Sequence, residues 1–179
     1  MAEIILITGG ARSGKSRFAQ ELAESLGKRC LFVATCPVTD EEMSRRIARH
    51  RDERRGRGWE TVEEPLELAA MVEGSSEYDV VLIDCLTLWI NNLLFKSDPA
   101  ELTEDEITEY AGQLVAACGK RSGTVILVTN EVGLGIVPEN PLARLFRDLV
   151  GRCNQQTAQG ADRVYLITCG IAQSIKEKR

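Results

Sequence analysis

Histidine is almost missing from this chain: its 179 residues include one, His50. Six cysteines (Cys30, Cys36, Cys85, Cys118, Cys153 and Cys169) are scattered and form no Cys-x-x-Cys pair. With one imidazole and no cysteine pair, a zinc finger or other clustered structural metal site is excluded. The cysteines lie mostly in apolar runs and read as buried thiols of a reducing compartment, without disulfides. Aromatic residues make up only 5% of the chain, and Trp59 alone lies near its most basic stretch, which speaks against a platform for stacking bases. No run of 18 apolar residues exists, so no transmembrane helix is expected and no membrane insertion. The opening MAEIILITGGARSGKS reads as a strand entering a loop, not as a secretory signal, and the expected location is cytoplasmic. Internal repeats and low-complexity linkers are also lacking, so residues 1–179 are expected to form one domain.

What the chain does have is alternation. Apolar runs at 4–8, 30–35, 79–84, 124–129 and 163–168 are nearly continuous, as in parallel strands covered on both faces. Amphipathic patterns at 15–26, 40–55, 65–73, 86–96, 104–120 and 141–159 predict helices between them. The fold class is therefore α/β: a mostly parallel central sheet with helices on both faces. Thr39-x-x-Glu42 and Thr103-x-x-Glu106 fit the capping box, and Val38 with Met43 fits a hydrophobic staple. Stretches 97–105 and 131–141 read as loops from their Gly, Pro and Asp content.

The sharpest local pattern is GGARSGKS at 9–16, which fits GxxxxGK[ST] between a strand and a helix. Gly9 and Gly14 permit the tight turns that aim backbone N–H groups at phosphate oxygens. Lys15 reaches the β- and γ-phosphates, the Ser16 hydroxyl suits Mg²⁺, and the helix N-terminus favours the anion. Asp84 closes the apolar run DVVLID, the arrangement of a metal-holding acid at a strand end, though a cap for the following helix is the plainer alternative. Asn130 and Glu131 follow another strand, at the edge where an open α/β sheet holds its ligands, or simply form a loop turn.

Residues 45–57, RRIARHRDERRGR, hold seven arginines around His50. Asp52 and Glu53 leave that window at +5 in a chain of net charge −5, so the remaining residues carry −10. A compact basic island in an acidic protein suits a small polyanion and speaks against nucleic acid. On a helix over 40–55, Met43, Ile47 and His50 share one stripe, flanked by Arg46 and Arg54. His50 is then either a half-buried structural histidine or a nucleophile or general base among phosphate-binding guanidinium groups.

Three segments, ITGGARSGKSRFAQELA (7–23), VATCPVTDEEMSRRIARHR (33–51) and LVTNEVGLGIVPENPLARLFRDLVGRCNQ (127–155), resemble in order and spacing the bifunctional adenosylcobinamide kinase / adenosylcobinamide-phosphate guanylyltransferase family of cobalamin biosynthesis. That resemblance implies a P-loop NTPase fold acting on adenosylcobinamide with ATP or GTP. It implies that Gly9, Gly10, Ala11, Arg12, Ser13, Gly14, Lys15 and Ser16 bind nucleotide, along with Ala34, Thr35, Cys36, Arg51, Asp52, Glu53, Arg54 and Glu63. It implies Asp84 and Ser16 as Mg²⁺ ligands, His50 as the residue that becomes covalently guanylylated, and a homotrimer with sites at subunit junctions. The competing expectations are a plain P-loop kinase, with His50 only binding phosphate, and a GTP-dependent switch. Against the switch, Asn130 is followed by Glu-Val-Gly, not by the Lys-x-Asp that recognises guanine in GTPases.

Overall fold

A computed structural model describes residues 2–36, 56–96 and 102–177. Seven strands form one sheet: β1 (Glu3–Gly9), β2 (Cys30–Ala34), β3 (Trp59–Glu63), β4 (Val80–Asp84), β5 (Thr124–Val128), β6 (Arg163–Thr168) and β7 (Ile171–Lys176). The described helices are α1 (Lys15–Leu26), α2 (Leu68–Glu73), α3 (Leu86–Lys96), α4 (Glu104–Lys120) and α5 (Pro141–Gly160). The strand order is β3-β2-β4-β5-β1-β6-β7, and every pair is parallel except β6–β7. The expected helix over 40–55, the Thr39–Glu42 box and the Val38–Met43 staple lie outside the described residues, as do His50 and its arginines.

Period-two alternation divides the strand side chains between two cores. Ile4, Leu6, Val81, Ile83, Val125 and Leu127 pack against α2, α3, α4 and α5 through Leu68, Leu86, Ile90, Leu114 and Leu149. Ile5, Ile7, Leu82, Ile126 and Val128 pack against Ala19 and Ala23 of α1. Both faces are thus covered, which is why these strands read as unbroken apolar runs.

Two strands were not anticipated. β3 (WETVE) and β7 (IAQSIK) are the two edges of the sheet, and their residues are largely half-buried or exposed. An edge strand covered on few sides needs no continuous apolar run, so that signal is missing from both. The helix expected over 65–73 begins at Leu68, because Glu64 Oε1 first accepts the Leu66 and Glu67 N–H groups at 2.9 and 2.8 Å and closes a separate turn. The Thr103–Glu106 capping box forms in both directions at the start of α4. Asn140 caps α5 through the Leu142 and Ala143 N–H groups, with Pro141 in the first turn. Among the described residues no helix is long and apolar enough to cross a membrane.

Two outcomes follow from this packing. Thr103→Ala removes the acceptor for the Glu106 N–H and should lower unfolding free energy by about 1 kcal/mol in urea titration, with unchanged m-value. All six cysteines are free. Burial pushes the thiols of Cys30 and Cys85 up to about 11 and those of Cys118 and Cys153 up to about 12, so thiolate is scarce at pH 8. A thiol reagent at that pH should modify exposed Cys169 first, then half-buried Cys36, and reach the other four only after denaturation.

Candidate active site

The parallel pairing brings the carboxyl ends of β1, β5, β4 and β2 to one edge of the sheet. Gly9 ends β1, and the chain turns through residues 10–14 into α1. Gly9 has φ +150°, and a Cβ there would lie 2.4 Å from the Ile167 carbonyl oxygen on neighbouring β6, so only glycine fits. Gly14 has φ +101° at the start of α1, and Arg12 has φ 57°. The loop is pinned from outside by the Gly170 N–H, which donates to Ser13 O at 2.8 Å. Gly14 gives α1 no side-chain cap, and the first turn of the helix holds no acid of its own. Among the described residues the buried Ser13 hydroxyl has no hydrogen-bond partner. A strained turn, an uncapped helix start and an orphaned buried hydroxyl together make a cradle suited to an anion.

Lys15 is 93% buried, and its Nζ donates to Gly10 O at 2.6 Å. Burial lowers its pKa below the ordinary lysine value, while Asp84, Cys85 and Glu131 pull it back up. These three groups therefore lie within electrostatic reach of the ammonium. Asp84 ends β4, half-buried, in register with Ala34 on β2 and Val128 on β5. Since β5 alone separates β4 from β1, Asp84 and the loop stand two strand spacings apart, about 10 Å. Ser16, the second residue of α1, is half-buried. Among the described residues no group of three or more His, Cys, Asp or Glu could hold a metal ion. One carboxylate and one hydroxyl beside a phosphate cradle is instead the sparse protein ligand set that suits Mg²⁺, which keeps waters and takes phosphate oxygens.

The remaining expected residues divide. Glu63, exposed at the end of β3, pairs in register with Ala34, so Glu63, Ala34 and Asp84 form a row across three strands. Thr35 is wholly buried, and its hydroxyl donates to Cys85 O and accepts from Cys85 N–H, both at 2.8 Å. Thr35 O accepts from Asn92 Nδ2 at 2.7 Å. Within the molecule, then, the Thr35 side chain holds the chain just after Asp84, and Cys36 continues half-buried from it. His50, Arg51, Asp52, Glu53 and Arg54 lie outside the described residues.

Glu131 sits beyond β5 with its N–H donating to Gly9 O at 3.1 Å. Its Oε1 accepts from the Thr8 hydroxyl at 2.5 Å and from Asn154 Nδ2 at 3.5 Å. Asn130 turns its carbonyl to Asn154 Nδ2 at 3.1 Å. Sequence reasoning reached Asn130 and Glu131 from their place after a strand, and missed Thr8, Thr87, Asn92, Thr129 and Asn154. Each of these is an uncharged polar residue inside an apolar strand end or an amphipathic helix, where only tertiary neighbours reveal what it serves.

A family model described as cobinamide kinase / cobinamide phosphate guanyltransferase matches residues 5–175. Two proteins named bifunctional adenosylcobalamin biosynthesis protein CobU, from Escherichia coli and Salmonella typhimurium, are 44% and 43% identical to this chain over 97% of it and 99% of their own lengths. The bifunctional adenosylcobalamin biosynthesis protein CobP of Pseudomonas aeruginosa is 43% identical over 96% of both chains. With the loop, the buried lysine and the strand-end aspartate in place, and the match running through nearly every element, this chain belongs to the cobinamide kinase / cobinamide phosphate guanyltransferase family.

Proposed function

We propose that this protein is a bifunctional enzyme of cobalamin biosynthesis, acting as adenosylcobinamide kinase and adenosylcobinamide-phosphate guanylyltransferase. The observation that carries this reading is the family match over residues 5–175, in a chain whose Gly9–Ser16 loop, Lys15 and Asp84 meet at one sheet edge. In the first step ATP or GTP gives its γ-phosphoryl group to the hydroxyl of the substrate's aminopropanol arm. The loop amides and the start of α1 hold the triphosphate, and Lys15 exchanges its bond to Gly10 O for phosphate oxygens. A phosphate there favours the ammonium form and opposes the pKa depression that burial imposes on Lys15. Ser16 and Asp84 would hold Mg²⁺, which when bound neutralises charge on the phosphate oxygens.

In the second step His50 attacks the α-phosphorus of GTP. A P–N bond forms, the P–O bond to the leaving pyrophosphate breaks, and the imidazole proton is lost. A phosphate oxygen of adenosylcobinamide phosphate then takes the GMP and releases His50, giving adenosylcobinamide-GDP. The arginines that flank His50 in the sequence, Arg51 and Arg54 among them, bind the phosphates it works on, and they favour the neutral, nucleophilic imidazole. Ala34, Thr35, Cys36, Asp52, Glu53 and Glu63 complete the nucleotide contacts in this reading. The enzyme is cytoplasmic, takes no nucleic acid and works as a homotrimer. The exposed side chains of Leu134, Ile136 and Val137, in the segment that follows Glu131, supply apolar surface for such an assembly to bury.

Purified protein incubated with Mg²⁺ and GTP labelled on the α-phosphate should retain label after denaturation, acid-labile and base-stable. γ-Label should not be retained. His50→Ala should retain neither, while still binding GTP. Retention by His50→Ala, or none by the wild type, would leave a plain kinase in which His50 only binds phosphate. Light scattering should give three chain masses in solution; one chain mass would remove the trimer.

A further inference from the structure

Chain geometry gives β5 a special exit. It is the strand between β1, which carries the phosphate loop, and β4, which carries Asp84. Residues leaving β5 are stitched to β1 by Thr129 N–H to Ile7 O at 2.9 Å and Glu131 N–H to Gly9 O at 3.1 Å. Glu131 is thereby delivered between the loop and the metal-side acid, close enough to Lys15 to act on its charge.

Its carboxylate is also aimed. Thr8, 95% buried on β1, donates its hydroxyl proton to Oε1. Asn154 of α5 donates to the same oxygen and is itself held by the Thr129 hydroxyl at 2.7 Å and by Asn130 O. Thr129, wholly buried, meets the Thr87 hydroxyl at 3.3 Å, and Thr87 accepts the Asn130 N–H at 2.9 Å. Two polar side chains, from β1 and α5, thus bond the carboxylate directly, and Thr129 and Thr87 hold the second of them and the neighbouring backbone in place. Buried polar networks are costly unless every member is satisfied, so this one fixes an orientation. Asp84, if it faces a divalent cation, is neutralised by it and poorly suited to take a proton as well.

We propose that Glu131 is the catalytic base of the kinase step, and that Thr8 and Asn154 are the positioning residues that aim it. The inference rests on the kinase reading above. As the substrate hydroxyl oxygen bonds to the γ-phosphorus, the bond from that phosphorus to the β-bridging oxygen breaks. The O–H electron pair stays on the substrate oxygen, and the proton passes to the Glu131 carboxylate. Nucleoside diphosphate leaves, and Glu131 returns the proton to water.

Steady-state kinase assays with ATP and adenosylcobinamide test it. Glu131→Gln keeps an acceptor oxygen for Thr8 and Asn154 but cannot take the proton. Its kcat should fall about 10²-fold or more, with KM for ATP and melting temperature close to wild type. A kcat within threefold of wild type would overturn the proposal, and so would a loss confined to KM or to stability. If Glu131→Gln does not fold, the Thr8 pair decides. Thr8→Val should lower kcat about tenfold at unchanged KM, and Thr8→Ser, which restores the hydroxyl, should recover it; equal kcat in both variants overturns the aiming role and the base with it. A wild-type protein without kinase turnover would instead overturn the functional reading on which the inference stands.

Discussion

The pairing of β5 with β1 on one side and β4 on the other is the constraint on which the site depends. Parallel registry places Val128 opposite both Ile7 and Asp84. The loop after β1, the strand-end acid and the β5 exit then have no choice but to share one edge. The registry is held by burial on both faces: a slip by one residue would move Ile5 and Ile7 into the core that Ile4 and Leu6 occupy, and the reverse. The backbone positions of the strand ends at the site are therefore tied to the core packing.

On this frame the electrostatics are arranged around one buried cation. Lys15 loses its water to burial, and acidic groups on two neighbouring strand exits keep it company. Positive charge at a helix start without a side-chain cap suits an anion. The same logic separates the two acids. Asp84 terminates a strand and is set by registry, whereas Glu131 lies three residues past a strand and is set by hydrogen bonds from Thr8 and Asn154.

Much of this was legible beforehand for a physical reason. A doubly covered parallel strand must be apolar along its length, so β1, β2, β4, β5 and β6 announced themselves to within a residue or so. The glycines of the loop were equally readable, because φ +101° at Gly14 and the approach of Ile167 O to Gly9 tolerate little else. β3 and β7 stayed hidden because edge strands need no apolar run. Thr35 was expected as a nucleotide contact, and its hydroxyl is engaged with the Cys85 backbone, a partnership 50 residues away that no local pattern carries.

By itself the sequence determined the α/β class, the tight glycine turn after β1, the aspartate at the end of β4 and the family, since each depends on local backbone demands or on order along the chain. The tertiary structure alone decided that β5 lies between the loop strand and the Asp84 strand, and that Thr8, Asn154 and Glu131 meet. Strand order and side-chain convergence depend on contacts between residues well separated along the chain, 123 positions for Thr8 and Glu131 and 23 for Asn154 and Glu131, and such contacts leave no period in the sequence.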